Sequence, residues 1–235
     1  MTGKRYFPAL LAALIASGGC GITPESYYPM KEGSESSYRV TIILSTLDEK
    51  SGKLLTEKKE GRFSSRFLPK QELKGKTVVP RKDVLDGTQT SYSYILKKNE
   101  GLTLYAYQGT DAGEPEILSE PSYLIKSPLK VGESWTGFGK SHLAKDQTVR
   151  MKTTIEKAKA PVDVPAGKFK ECLEIRSEGV NDFDIPPFGK VTIRAVTVRW
   201  FAPKVGLVKE IVHEESTRPS LGTIQVTYER TEPGK

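Results

Sequence analysis

Apolar residues in this chain recur at every second position and almost nowhere at helical spacing. Val40, Ile42 and Leu44 share one parity in SYRVTIILSTL, and Tyr92, Tyr94 and Leu96 do so in TSYSYILKK. In LTLYAYQG, Leu102, Leu104 and Ala106 oppose Thr103, Tyr105 and Tyr107. Successive side chains of a strand point to opposite faces, so this alternation describes half-buried strands. Later runs (TVRMKTTIEKAK, KFKECLEIRSEG, KVTIRAVTVRWFAP, GLVKEIVHEES, GTIQVTYERTE) continue it, with turn signals between them. The pattern predicts about ten long strands, mostly hairpin-linked. The fold class is all-β and mostly antiparallel, as an open or partly closed barrel or a sandwich. Lys and Glu intrude on both parities, which denies the strands the uninterrupted apolar row of a lipid-facing barrel.

A second regularity bears on organisation. YYPMKEGSES (27–36) and KSPLKVGESW (126–135) share Pro-Met/Leu-Lys-x-Gly, with Pro29 and Pro128 ninety-nine residues apart. Proline blocks upstream ladder pairing, glycine permits a tight bend, and the Met or Leu anchors the start of the next strand. Two similar β halves, 29–125 and 126–232, would produce this pattern within one β domain over 38–235.

The start of the chain speaks of location. Lys4 and Arg5 precede an apolar run from Tyr6 to Ala16, and Ser17, Gly18 and Gly19 follow. This is the layout of a secretory signal peptide over 1–19. Eleven helical residues reach only about 16 Å, short of a ~30 Å hydrocarbon core, so the segment targets rather than spans. Cys20 directly follows the small residues, which favours a bacterial lipoprotein signal with acylation of that thiol. Ser17 stands where such signals usually carry an aliphatic residue, and cleavage after Ala16-Ser17-Gly18, leaving a free thiol, is the alternative. Residues 20–37 would then be a lipid-bearing N-terminus and polar tether. Gly21 rather than Asp follows the cysteine, which points to the outer membrane.

Without Lys4 and Arg5, 34 basic residues face 29 acidic ones, a charge of +5. The basic residues are dispersed and flanked by glutamates, as at Lys58-Lys59 between Glu57 and Glu60, which argues against a nucleic-acid partner. Cys172 has no partner if Cys20 is acylated, so no disulfide is expected and Cys172 reads as a small packed residue.

Three segments carry a family resemblance. PLKVGESW, VDVPAGKFKECLEI and WFAPKVGLVKEI fall in order over 128–211. They resemble the repeated signatures of uncharacterised bacterial envelope lipoproteins: P-L-K-x-G-x-x-W, V-P-A-G-x-F-x-x-C-L and A-P-x-V-G-L-V-K. The resemblance implies an architecture similar to the open antiparallel half-barrel of lipoprotein carriers, and no catalytic residues. The first half departs from the pattern, with Ser36 or Ser37 where a Trp would follow Gly33.

No constellation reaches a catalytic assignment. His142 and His213 are the only imidazoles, and with Cys172 they lack metal-site spacing. SPLK (127–130) matches S-x-x-K, but its companion motifs are missing and the turn signature accounts for it. Asn181, Asp182 and Asp184 read as an Asx-type turn before calcium ligands. Glu214 and Glu215 point to opposite faces as strand neighbours. The expectation is therefore a non-enzymatic envelope lipoprotein without metal or cofactor, held to the membrane through acyl chains on Cys20. It would act as a binding or envelope-assembly module for a lipid, glycan or protein partner. The alternatives are a structural interaction lipoprotein without a small ligand, and a hydrolase using an unrecognised site around Ser127 or His213. Ligand-contacting residues are not assigned, although Tyr92, Tyr94, Tyr105, Tyr107, Trp135 and Trp200 are the aromatics that could line a concave sheet.

Overall fold

The computed structural model describes residues 23–232 except residue 146. The leader and Cys20 lie outside these residues. Thirteen strands and one helical turn make up the body: α1 (Pro24–Tyr27), β1 (Glu35–Leu47), β2 (Leu54–Phe67), β3 (Gln71–Leu73), β4 (Lys76–Leu85), β5 (Gln89–Lys98), β6 (Gly101–Gln108) and β7 (Glu116–Lys126). The second set is β8 (Ser134–Lys140), β9 (Thr148–Val164), β10 (Gly167–Ile185), β11 (Gly189–Ala202), β12 (Gly206–Ser216) and β13 (Thr223–Arg230). All pairs are antiparallel, in the order β7-β6-β5-β4-β2-β1-β13-β12-β11-β10-β9-β8, with β3 added to β4. The all-β antiparallel fold matches the alternation in the sequence.

The order has a simple meaning. The chain meanders outward from β1 to β7, and a second meander from β8 brings β13 back against β1. Eight residue pairs join β1 to β13, from Tyr38 opposite Arg230 to Ser45 opposite Thr223. The sheet curls until its two edges, β7 and β8, face each other without a shared ladder. Two bonds bridge that seam. Trp135 Nε1–H donates to the carbonyl of Tyr123 at 3.1 Å, and the Phe138 N–H donates to Ser122 Oγ at 3.2 Å. The result is a barrel open along one line.

The repeated sequence signature forms the same turn twice. Ser34 N–H donates to Lys31 O and Glu133 N–H to Lys130 O, both at 3.0 Å. Gly33 (φ +74°) and Gly132 (φ +88°) occupy the left-handed position that each turn needs. Each turn then clasps the neighbouring strand in the same way: Gly33 and Ser34 exchange bonds with Phe67, as Gly132 and Glu133 do with Ile155.

The main core lies inside the barrel at the pole where β1 begins. Ile95, Leu102, Ile125, Ile155 and Ile175 are fully or almost fully buried there, each contributing about 1.5–3 kcal/mol relative to exposure. Part of the stretch expected to be a polar tether enters this core. Tyr27 and Tyr28 are buried, and Tyr28 meets Phe67 and Phe201 edge-on at 5.7 and 5.9 Å. Composition suggested a linker, but two adjacent tyrosines have enough apolar area to dock the segment, so the folded body begins near residue 24 rather than 38.

The other signatures build a second, smaller core. The β9–β10 hairpin is longer than its neighbours, and register shifts between Phe169 and Ile175 bend it. Its tip reaches β13, where the Ala166 N–H donates to Arg230 O at 3.0 Å. Val162, Val164 and Cys172 thereby pack on Ala202 and Val208 of the β11–β12 hairpin.

Candidate functional site

Inside the barrel, between two plugs, lies a cavity of about 1280 Å³. One plug is the N-terminal segment. The other is the β8–β9 loop, which crosses from the edge strand to β12. Glu214 draws it there: this carboxylate is 1% exposed and accepts from Ser141 Oγ (2.7 Å), His142 N (2.9 Å) and Leu143 N (2.9 Å). Ala144 then packs on Val191 and Ile193.

The register decides which side chains reach the lumen. Tyr38 stands opposite both Phe63 and Arg230, and Glu210 stands between Arg199 and Tyr228. One wall is aromatic, with Tyr38–Phe63 centroids at 5.8 Å and Phe63–Tyr228 at 5.5 Å. Val149, Met151 and Val212 add aliphatic surface. Three guanidinium groups face this wall in different states. Arg81 binds Asp83 Oδ2 through Nη2 at 2.7 Å and Nε at 3.1 Å, and donates to the Tyr28 hydroxyl. Arg199 Nε donates to Glu210 at 2.8 Å. Arg230, only 4% exposed, has no carboxylate partner among the described residues. Its bonds go to the carbonyls of Glu232 (2.9 Å), Val205 and Leu207 (both 3.4 Å).

Burial sets the protonation of the phenols. Removal from water pushes the Tyr38 hydroxyl up to about 12 against the opposing pull of Arg230. Burial, then the charges of Glu210 and Asp83, raise Tyr228 further. Both remain neutral donors at physiological pH, and Tyr38 donates to Leu207 O at 3.0 Å. Burial works against the charge on Arg81, but Asp83 and Tyr28 outweigh it and keep the guanidinium charged. Asp83 Oδ1 is buried without a partner, an acceptor left over after Arg81 has taken the other oxygen.

None of the six aromatics singled out in the sequence lines this cavity. Tyr92, Tyr94 and Tyr105 cluster around Val78 on the opposite face of the sheet. Lys140 Nζ sits 5.3 Å above the Tyr107 ring. Trp135 is in the main core, and Trp200 packs on the second core and donates to Glu174 at 3.0 Å. The residues that do form the site (Tyr38, Arg81, Arg199, Glu210, Tyr228 and Arg230) carry a signal in retrospect: each charge lies on a largely apolar parity, as Arg199 does with Val191, Ile193, Ala195 and Phe201.

The other candidates are placed apart. His142 is exposed at the cavity mouth, and His213 is exposed on the outer face of β12, behind Glu214. Glu215 is exposed opposite the buried Glu214, as strand alternation requires. Ser127 lies in the β7–β8 connection, its N–H on Glu100 O. Cys172 is fully buried, and burial pushes its thiol up to about 11. Among the described residues no three His, Cys, Asp or Glu side chains converge as metal ligands. Asn181, Asp182 and Asp184 lie on β10 itself rather than in an Asx turn, because that strand continues to Ile185. Asn181 brackets the backbone of Arg150 with two bonds, and Asp182 accepts from Thr192 at 2.6 Å.

No protein-family model matches the chain and no curated protein is similar to it. Two solved structures are. One is a Bacteroides fragilis protein, described provisionally as exported with a YmcC-like fold: 13% identity, TM-score 0.40, covering 88% of this chain and 99% of that one. The other, from Parabacteroides distasonis, is described provisionally as a lipoprotein: 14% identity, TM-score 0.37, covering 88% and 97%.

Proposed function

We propose that this protein is a lipid-anchored protein of the bacterial cell envelope, attached through acyl chains on Cys20 at the outer membrane, and that it works as a non-enzymatic binding module. The ligand class we favour is an amphipathic lipid bearing an anionic group. One observation carries the reading: the lumen joins an aromatic and aliphatic wall to Arg230, a buried cation with no carboxylate partner among the described residues. Its volume exceeds the ~300–1,000 Å³ of ordinary small-molecule sites, which suits an acyl-bearing molecule. The leader and the small residues before Cys20 support the anchor.

A second reading, docking of another envelope protein on a sheet edge, has its own observation. The segment 54–61 of β2 pairs with β1 alone, because the β4 side reaches β2 only at Arg62, which exchanges bonds with Asp86, and from Phe63 onward.

Native mass spectrometry of protein extracted from its own membranes tests both parts. The expected result is an N-terminal acylated Cys20 and a copurifying anionic lipid that Arg230→Leu releases. An unmodified thiol would overturn the anchor. A lipid-free protein whose melting temperature ignores added lysophospholipid and fatty acid would overturn the lumenal ligand.

A further inference from the structure

We propose that the pole of the barrel carrying the N-terminal segment is a docking face for an anionic lipid bilayer. The inference takes its orientation from the lipid anchor proposed above, but its charge argument stands without it.

The first observation is where the chain enters. Thr23 is exposed, and of the next five residues Pro24, Tyr27 and Tyr28 are buried at this pole, the tyrosines within the main core. Bonds tie them there: Lys204 N–H donates to Ser26 O, and Lys97 forms an ion pair with Glu25 at 2.6 Å. Cys20 precedes Thr23 by three residues, which span about 10 Å when extended. An acyl chain on that cysteine would hold this pole, and no other, against a membrane surface.

The second observation is charge. The turns at this pole are those after β2, β3, β5, β7, β9 and β11. They carry Lys70, Lys74, Lys76, Lys98, Lys130 and Lys204, none with a carboxylate within ion-pair distance among the described residues. The β3–β4 hairpin, tipped by Lys74, projects past the end of β2. Lys31 adds a seventh base, and acids are present at this pole too, at Glu32, Glu35, Glu72, Glu100 and Glu232, so the excess of unpaired base is two charges rather than a solid patch. The opposite pole is mixed: the β6–β7 turn holds Asp111, Glu114 and Glu116 and no base and the β4–β5 turn adds Asp86, while the β1–β2 turn balances Asp48 and Glu49 with Lys50 and Lys53 and the β12–β13 turn carries Arg218. The unpaired base is therefore concentrated where the chain enters, above all in the β3–β4 hairpin with Lys70, Lys74 and Lys76.

The third observation is Val131, 53% exposed at the tip of the β7–β8 connection and next to Lys130. Leu54 and Leu55 beside Lys53 at the far pole are exposed as well, so the two poles have to be compared by experiment. An exposed aliphatic flanked by lysine fits the headgroup boundary, where the apolar group enters and the ammonium stays with phosphate. Juxtamembrane lysines are attracted to anionic leaflets, and the attraction falls off within a Debye length. A tether of three residues keeps these lysines inside that range.

The test uses the chain from residue 20 onward with Cys20→Ser, so that no acyl chain contributes. Its cosedimentation is measured with phosphatidylcholine vesicles, with and without phosphatidylglycerol, at low and high salt. We expect binding only to the phosphatidylglycerol vesicles, abolished by salt. Lys70→Gln/Lys74→Gln/Lys76→Gln together should lower partitioning about a hundredfold, at roughly fivefold per lysine. Lys50→Gln/Lys53→Gln/Lys190→Gln at the far pole should leave it unchanged. Absence of binding, equal binding to neutral vesicles, or equal loss from the far-pole variant would each overturn the proposal. An unmodified Cys20 in native material overturns only the anchor, so the two failures are distinguishable.

Discussion

Replacing Glu214 with alanine should release the β8–β9 loop from the barrel interior. Each hydrogen bond to a charged group contributes about 1.5–3 kcal/mol net. Glu214 accepts three, from Ser141, His142 and Leu143. The three do not add, because they fail as a unit once the loop lets go and its N–H groups reach water. We therefore expect a loss of about 3–4 kcal/mol, near the cost of breaking a buried ionic contact. Glu214→Gln should cost less, about 2 kcal/mol: a carbonyl in place of Oε2 keeps the Ser141 and Leu143 bonds but sets an NH₂ against the His142 N–H. Urea unfolding followed by tryptophan fluorescence gives the free energies, and an unchanged slope would show that the denatured state is not what moved. Amide exchange at His142, Leu143 and Ala144 reports the loop directly. If alanine lies within 0.5 kcal/mol of wild type by the usual tolerance for surface changes, with those amides still protected, Glu214 does not hold the plug.

Trp135→Phe keeps most of the ring packing and removes the bond to Tyr123 across the seam, so chemical denaturation should show about 1 kcal/mol lost; a loss above about 3 kcal/mol would assign the effect to packing instead. Gly222 has φ +77°, and an added Cβ would lie 2.0 Å from Ser45 O, so Gly222→Ala should cost at least about 2 kcal/mol, and an unshifted melting temperature would refute this. Tyr38 ionises later in the folded chain than in the unfolded one, so its contribution is full below about pH 10 and is lost as pH rises towards about 12; Tyr38→Phe should flatten the alkaline fall in stability, and an identical slope would count against it. Cys172 should resist a disulfide reagent at neutral pH until the protein unfolds, because burial holds its thiol protonated up to about 11; fast stoichiometric labelling of the native chain would contradict its burial.

How far the fold was legible depended on whether alternation survived in each strand. β1, β5, β6 and β9–β13 announce themselves by period two. β4 does not, because Arg81 and Asp83 occupy its lumenal parity and Pro80 interrupts it. The proline is tolerated for a local reason: β3 pairs with β4 as far as Val78, β2 pairs from Arg81 onward, and Pro80 falls in the gap where no ladder N–H is required. Its carbonyl still accepts from Leu68 N at 2.9 Å. β7 is disguised by a register shift between Ala106 and Leu104 on its partner, and β8 by its shortness and two glycines. The site was illegible for the same reason that β4 was. A charge on an apolar parity looks like a broken pattern in one strand, and becomes a cluster only when register sets Arg199 beside Glu210 and Arg230 beside Tyr38.

The repeated turn also explains why the barrel opens where it does. With β1 and β8 started by the same turn, the β13–β1 and β7–β8 junctions occupy equivalent places. The first joins strands distant in sequence and has an eight-pair ladder; the second joins consecutive strands and has none. The difference lies in β8, which is seven residues long and carries Gly137 and Gly139. A Cβ at Gly137 would meet Thr153 Oγ1 at 2.9 Å, and one at Gly139 would meet Met151 at 2.7 Å. Side chains of β9 thus fill the space over both glycines. Leu124, Gly139 and Lys140, from the two sides of the seam, line the cavity, and this wall is held by the packing of Trp135 with Ile125, Tyr123 and Leu124 and by two hydrogen bonds worth about 1 kcal/mol each. Parting any other wall breaks a ladder. Among the described strands, the one line in the fold without a ladder is thus also one that bounds its cavity.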